Sequence, residues 1–386
     1  MMQVSPIYLD CAATTPLDVR VRAEMLPYFD DKFGNAGSRT HDWGRGARAA
    51  VEHARDRVAA VVAAGRGDVI FTSGATESNN LAILGLAAAA GSRRHVVSTA
   101  IEHQAVLEPL AELGRRGFDI TLVPSGEDGA VDAEAVIDAV RPDTLLVSLM
   151  HVNNETGVIQ PVSDVADRLT DADVYLHVDA AQSFAREIDV LRHSRVDLIS
   201  ISAHKIRGPK GAGALVMRRR NGSRPPLRPL MFGGGQERGL RPGTMPVPLV
   251  VGLGAAAQWA VDELDARTAR CRAFRDALLR GLAPLDPVVN GDATRSVPYI
   301  LNLSFPGMDA EAVIDAWSDR IAISNGAACS TQTYTCSHVL SAMRLPAWRQ
   351  DGAVRFSWDA LTPEPDWDML VVSAERCRDM RRSATP

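Results

Sequence analysis

The chain is short of lysine. Of its 42 basic residues only Lys32, Lys205 and Lys210 are lysines, and the rest are arginines. Long apolar runs are missing as well: each hydrophobic stretch is broken by Gly, Gln, Trp or Asp before it could span a bilayer. The start, MMQVSPIYLD, has neither the basic residues nor the apolar run of a signal peptide. A cytoplasmic protein with no membrane partner is expected. Cysteines are few and odd in number (Cys11, Cys271, Cys329, Cys336 and Cys377), without the paired short spacings of a zinc site. Reduced thiols and no metal are expected. A net charge of −5 excludes a broad basic footprint, so no direct nucleic-acid binding is expected.

What is there is a chain of 386 residues, 46% hydrophobic, long enough for a large core and for two domains. Residues 45–64 have helical apolar spacing and lead into DVIFTSGATESNN, a short strand, a Gly/Thr/Ser turn and a helix. The alternation then repeats. HVVSTA, DITLVP, TLLVSLM, VYLHVDA, DLISISA and GALVM are apolar, β-branched runs interleaved with helical segments such as AEAVIDAVR and SDVADRL. Strands of that kind predict an α/β fold with a mostly parallel sheet sandwiched by helices. The segment 221–248 is dense in Pro, Gly and Arg and marks a functional loop or a junction. After it comes a stretch, 249–282, read as one long helical region, then a mixture of helices and the strands ILNLSF and VRFSW. A large domain over 15–261 is expected, with 1–14 and 262–386 forming a smaller α+β domain.

Retained lysine suggests chemistry. Arginine stays protonated, whereas lysine can lose its proton and act as an amine nucleophile. In parallel α/β sheets ligands gather at the carboxyl ends of strands. There stand Thr76 in SGATESNN, ahead of a helix that can hold a phosphate, then His103, then Asn153, Asn154 and Glu155. Asp179 and Gln182 follow the next strand, and His204 and Lys205 the one after. Each alone has an ordinary reading as a cap, an ion pair or a packing residue. Together they meet the needs of pyridoxal 5'-phosphate: an amine for a Schiff base, an acid to keep the ring nitrogen protonated, and a phosphate cradle.

Over nearly its whole length the chain resembles the cysteine desulfurases, pyridoxal-phosphate enzymes of fold type I in the class V aminotransferase group. The resemblance is carried by YLDCAATT, SGATESNN, EHQAV, HVNNETGV, VDAAQS, SAHKIRGPKG, GGGQERGLRPGT and SNGAACS. It implies that Lys205 carries the cofactor, Asp179 pairs with the ring nitrogen and His103 stacks on the ring. Asn154 and Gln182 would contact the ring oxygen. Ala75, Thr76, Ser202 and His204 would hold the phosphate, with Thr244 reaching in from a second subunit of a homodimer. Arg355, with Asn35 nearby, would bind the carboxylate of the substrate L-cysteine. Lys210 belongs to the same motif and takes a conformational or electrostatic role.

Cys329, in ISNGAACSTQTYTCS, has small residues before it and polar ones after, the composition of an exposed loop. In the family pattern it is the thiol that takes sulfur from the substrate. The length of its segment resembles the long-loop branch, which hands persulfide to an acceptor protein. Cys336 is a second thiol there, read first as an incidental loop cysteine, with a resolving thiol or a second sulfur carrier as the alternatives. Three places depart from the family pattern: FGNAGS lacks the usual proline, Cys11 stands where asparagine is common, and VRFSWDALT lacks a glycine after its serine. They favour a specialised sulfur donor, feeding tRNA thiolation or DNA phosphorothioation, over general iron–sulfur assembly. A selenocysteine lyase, another class V aminotransferase, or a cofactor-holding scaffold that docks an acceptor enzyme would use the same Lys205.

Overall fold

The computed structural model describes residues 5–220, 222–325 and 337–384. Strands are numbered along the chain. Seven form the main sheet: β2 (Val69–Thr72), β3 (His95–Thr99), β4 (Asp119–Val123), β5 (Thr144–Met150), β6 (Tyr175–Asp179), β7 (Leu198–Ser202) and β8 (Gly213–Met217), in the order 2-8-7-6-5-3-4. Pairings among β3 to β7 are parallel, and β8 runs antiparallel between β2 and β7. Every residue of β5, β7 and β8 is buried, which is why these runs are apolar throughout instead of alternating.

Helices close both faces. Helices Asp42–Val61 and Val247–Asp262 pack together over one face, where Val51, Val58, Val251 and Ala255 join the main core. They come close because Gly254 has no side chain: a Cβ there would lie 2.6 Å from the Ala54 Cα. On the other face Leu81, Leu86, Val106 and Leu110 of Ala75–Ala87 and Gln104–Arg115 form a second cluster. Burial of each such side chain contributes roughly 1.5–3 kcal/mol.

A separate smaller sheet lies in the carboxy-terminal part. Its strands β9 (Val288–Val289), β10 (Ile300–Ser304) and β12 (Ala353–Ser357) are antiparallel, with β10 in the centre. Trp317, Phe305, Phe356 and Trp358 fill its core, and the Trp317 indole donates to the Leu370 carbonyl at 2.8 Å. The amino-terminal strand β1 (Ile7–Tyr8) pairs in parallel with β11 (Ile321–Ala322), so the start of the chain is tied to this half before it crosses to the main sheet.

One expectation is corrected. The stretch 249–282 is not one helix: Val247–Asp262 and Leu264–Leu282 are separate, their axes 74° apart. The break sits at Glu263, whose backbone leaves helical geometry (φ −110, ψ 12) and whose carboxylate is held by Arg20 at 2.6 Å and Arg267 at 2.8 Å. Among the described residues no single helix is long and apolar enough to cross a membrane.

Candidate active site

The carboxyl ends of β2, β3, β5, β6 and β7 converge on a cavity of about 650 Å³. At its edge the turn after β2 leads into helix Ala75–Ala87, capped by Gly74 with no side chain, so the first N–H groups are left without a side-chain acceptor. Such an end favours an anion through the helix dipole and its free donors. Strand β8 approaches this turn so closely that a Cβ on Gly213 would lie 2.5 Å from the Gly74 Cα. Ala75, Thr76 and Ser202 line the same side.

Asp179 ends β6 and is 6% exposed. Its Oδ2 accepts from Asn79 Nδ2 at 2.7 Å and its Oδ1 from the Ala181 N–H at 2.9 Å, two donors that hold the carboxylate in place. His103 caps helix Gln104–Arg115, its Nδ1 accepting from the Ala105 N–H at 3.0 Å, so the remaining proton sits on Nε2. Burial lowers the pKa of His103; Asp179 opposes this and Lys205 adds to it, leaving a neutral imidazole at neutral pH. His204 is pushed further, to about 4, by burial and then by Lys205 and Lys210, and its Nδ1 lies 3.1 Å from Thr14 Oγ1.

Lys205 follows β7 in a short 3₁₀ turn, and its ammonium donates to the carbonyls of Ala12 and, at 2.8 Å, Ala13. The Gln182 amide donates to the same Ala12 carbonyl at 2.9 Å. The amino-terminal strap therefore forms the wall in front of the amine. Three buried amide oxygens, of Asn79, Asn154 and Gln182, have no hydrogen-bond partner among the described residues. Unsatisfied acceptors of this kind are costly unless a ligand supplies donors. A phosphate cradle, a fixed carboxylate, an amine and unfilled polar valences suit pyridoxal phosphate.

Arg355 in β12 reaches the cavity from the smaller sheet. It is 3% exposed, donates to Asp10 at 2.7 Å and to the Asn154 carbonyl at 3.0 Å, and its buried Nε has no partner. The segment carrying Cys329 and Cys336 lies outside the described residues, but both of its flanks end here. Ser324 pairs through its backbone with Arg355, and Ser337 donates to the buried Glu155 carboxylate at 2.5 Å. His338 bonds the Glu102 carbonyl at 2.9 Å, next to His103.

Ten of the residues expected from sequence line this cavity: Ala75, Thr76, His103, Asn154, Asp179, Gln182, Ser202, His204, Lys205 and Arg355. Two do not. Thr244 is exposed and away from it, and Asn35 is exposed with its Oδ1 accepting from the Gly37 N–H at 2.8 Å. Sequence reasoning missed Asn79, which orients Asp179, and Asp10, which holds Arg355. Asn79 lay within SGATESNN, where the helical spacing from Ala75 gave a signal; nothing local distinguished Asp10.

Residues 7–367 match the model of the family described as aminotransferase class-V. The cysteine desulfurase IscS of Dechloromonas aromatica (strain RCB) is 43% identical over 369 residues, covering 95% of this chain and 90% of that protein. Among solved structures, a NifS-like protein superposes with a TM-score of 0.87 at 36% identity, covering 98% of this chain and all of that one. DndA from Streptomyces lividans does so with a TM-score of 0.81 at 50% identity, covering 91% and 99%. A family match along almost the entire chain, together with the lysine, carboxylate and phosphate cradle at the strand ends, places this protein in the class-V aminotransferase family, among the pyridoxal-phosphate-dependent cysteine desulfurases.

Proposed function

We propose that the protein converts L-cysteine to L-alanine and carries the released sulfur as a persulfide on Cys329. The observation that carries this reading is the convergence of Lys205, Asp179, His103 and Arg355 in one cavity, with both flanks of the Cys329 segment anchored beside it, Ser324 on Arg355 and Ser337 on Glu155. Pyridoxal phosphate, when bound, supplies the sink for the electron pair left at the substrate α-carbon. Asp179 would hold the positive ring nitrogen, and the helix end at Ala75 and Thr76, with Ser202 and His204, would hold the phosphate.

Arg355 binds the substrate carboxylate with the N–H groups that Asp10 leaves free. The Lys205 amine would take the α-proton, and the neutral His103 would move protons between solvent and substrate through Nε2–H. The Cys329 thiolate attacks the substrate sulfur. An S–S bond forms, the substrate Cβ–S bond breaks with its electron pair left on carbon, and that carbon takes a proton to become the methyl of alanine. No external oxidant is needed. Cys329 lies five positions after Ser324, a reach of up to roughly 18 Å for extended chain.

The segments 15–261 and 1–14 with 262–386 act as large and small domains around this cavity. The active form is a cytoplasmic homodimer in which Thr244 completes the neighbouring site. The exposure of Thr244 and of Phe232 and Met231 in the same glycine-rich segment supports this. Persulfide passes to an acceptor protein in iron–sulfur assembly, tRNA thiolation or DNA phosphorothioation. The departures at Cys11 and around Asp359, and an identity to DndA above that to IscS, favour a specialised donor.

The test is Cys329→Ser. It should keep the visible absorbance of the bound cofactor and lose alanine release from cysteine; unchanged turnover would refute the persulfide route and favour a lyase or aminotransferase. A wild-type protein that binds an acceptor tightly but never turns cysteine over would favour the scaffold reading.

A further inference from the structure

A second cavity, of about 370 Å³, lies where the main-sheet half meets the small-sheet half. It shares no lining residue with the cofactor cavity, yet its walls continue the same segments: Ala185 and Arg186 follow Gln182, and Ile206 and Arg207 follow Lys205. Its other walls come from the helix that begins at Leu264 and from Asp359–Leu361.

Five arginines line it, Arg20, Arg186, Arg207, Arg267 and Arg270, against two carboxylates, Glu263 and Asp359. Asp18, beneath them, pairs with Arg20 at 2.9 Å. That leaves three acids for five cations. Arg20 and Arg267 are consumed by Glu263, and Arg207 by Asp359, the acid introduced in the stretch that departs from the family pattern. Donors remain. Among the described residues Arg270 has no hydrogen-bond or ion-pair partner, and the buried Arg207 Nε makes no hydrogen bond, its nearest carboxylate oxygen, on Asp18, lying 3.9 Å away. The Arg186 guanidinium lies 4.5 Å from the Tyr299 ring centre and hydrogen-bonds that side chain, with Glu187 as a nearby charge but no carboxylate in a direct ion pair, so part of its N–H fork stays open. Guanidinium groups with free N–H edges in a recess favour a planar or tetrahedral oxyanion. Much of the rest of the wall is apolar, with Ile206, Ala260, Leu264 and Leu361 beside Thr268, Cys271 and Tyr299.

We propose that this cavity binds a small amphipathic anion, its carboxylate or phosphate head on Arg186 and Arg270 and its apolar body against Ile206, Ala260 and Leu264. The site stands independently of the desulfurase reaction. Because its walls come from both halves of the molecule, occupancy ties them together and raises the unfolding midpoint by mass action.

Calorimetric titration of the full-length holoenzyme with hexanoate, inorganic phosphate and hexanol tests it, in wild type and in Arg355→Ala, which removes the anion-binding arginine of the other cavity. Hexanoate should bind saturably, one per chain, in both proteins and more tightly than either other probe. Arg270→Gln, on an exposed residue whose loss leaves folding intact, should weaken it about tenfold, the effect of one charge-assisted hydrogen bond. Arg186→Gln should do the same, and Ala260→Leu, which narrows the recess, should weaken hexanoate more than phosphate. Absence of saturable binding, loss of binding in Arg355→Ala, or indifference to Arg270→Gln overturns the proposal. So does phosphate or hexanol binding as tightly as hexanoate.

Discussion

Arg55 and Arg355 are both almost fully buried, both paired to a carboxylate, and wired in opposite ways. Arg55 engages all three of its guanidinium nitrogens: it donates to both oxygens of Glu237, at 2.8 and 2.7 Å, to the Val69 carbonyl at 2.8 Å, and to Glu52 at 3.3 Å. Glu237 in turn accepts from the Phe71 N–H at 2.6 Å, so the pair stitches the glycine-rich segment to β2. Arg355 has one carboxylate contact, one carbonyl contact and an idle Nε, and it faces a cavity. A buried charge with every nitrogen engaged is architecture. One left with spare donors beside empty space is poised for a ligand.

The largest expected effect lies at the amine that shares the cavity with Arg355. Lys205→Ala should remove the visible absorbance of the bound cofactor and lower cysteine turnover by at least ~1000-fold, as expected when a nucleophile and base are lost together. Absorbance spectra and alanine release measure it. Arg55→Ala should leave Glu237 buried without its partner and cost about 3–5 kcal/mol of stability, with turnover per folded molecule unchanged. Denaturant unfolding paired with active-site counting checks both parts. Arg355→Ala should do the reverse, raising the KM for cysteine by about 10–100-fold with a much smaller change in unfolding midpoint. If both variants behaved alike, the distinction between spent and spare donors would fail.

Glu102 sharpens the same contrast by pH. It is wholly buried, its Oε1 accepts from Thr99 and from the Met150 N–H, and its Oε2 has no partner. Burial raises its pKa from the ordinary 4.5 to about 8. The native state then holds a proton that the unfolded chain has lost, so stability falls as pH climbs from about 4.5 towards 8. Relative to Glu102→Gln, the wild type should lose up to ~1.4 kcal/mol per pH unit across that window. Parallel slopes in thermal melts of the two proteins would show that Glu102 ionises freely.

Much of this was legible in the chain. The apolar runs that became β3 and β5 to β8 read as strands because burial on both faces demands continuous hydrophobicity, and the residues just after them read as site residues because strand ends are where a parallel sheet opens. The break at Glu263 was not legible. Local spacing continues through it, and the carboxylate at the break is held by Arg20, 243 positions away. Asp10 was hidden for the same reason, since its partner lies 345 positions on.

By itself, then, the sequence determined the layered α/β plan and the chemical kinds of group at the strand ends, because helical and strand periodicity and the choice of lysine over arginine are local properties. Only the tertiary structure decided which of those groups keep unfilled valences. That depends on contacts across hundreds of residues: the amino-terminal strap laid against Lys205, the smaller sheet delivering Arg355, and the arginines gathered between the two halves.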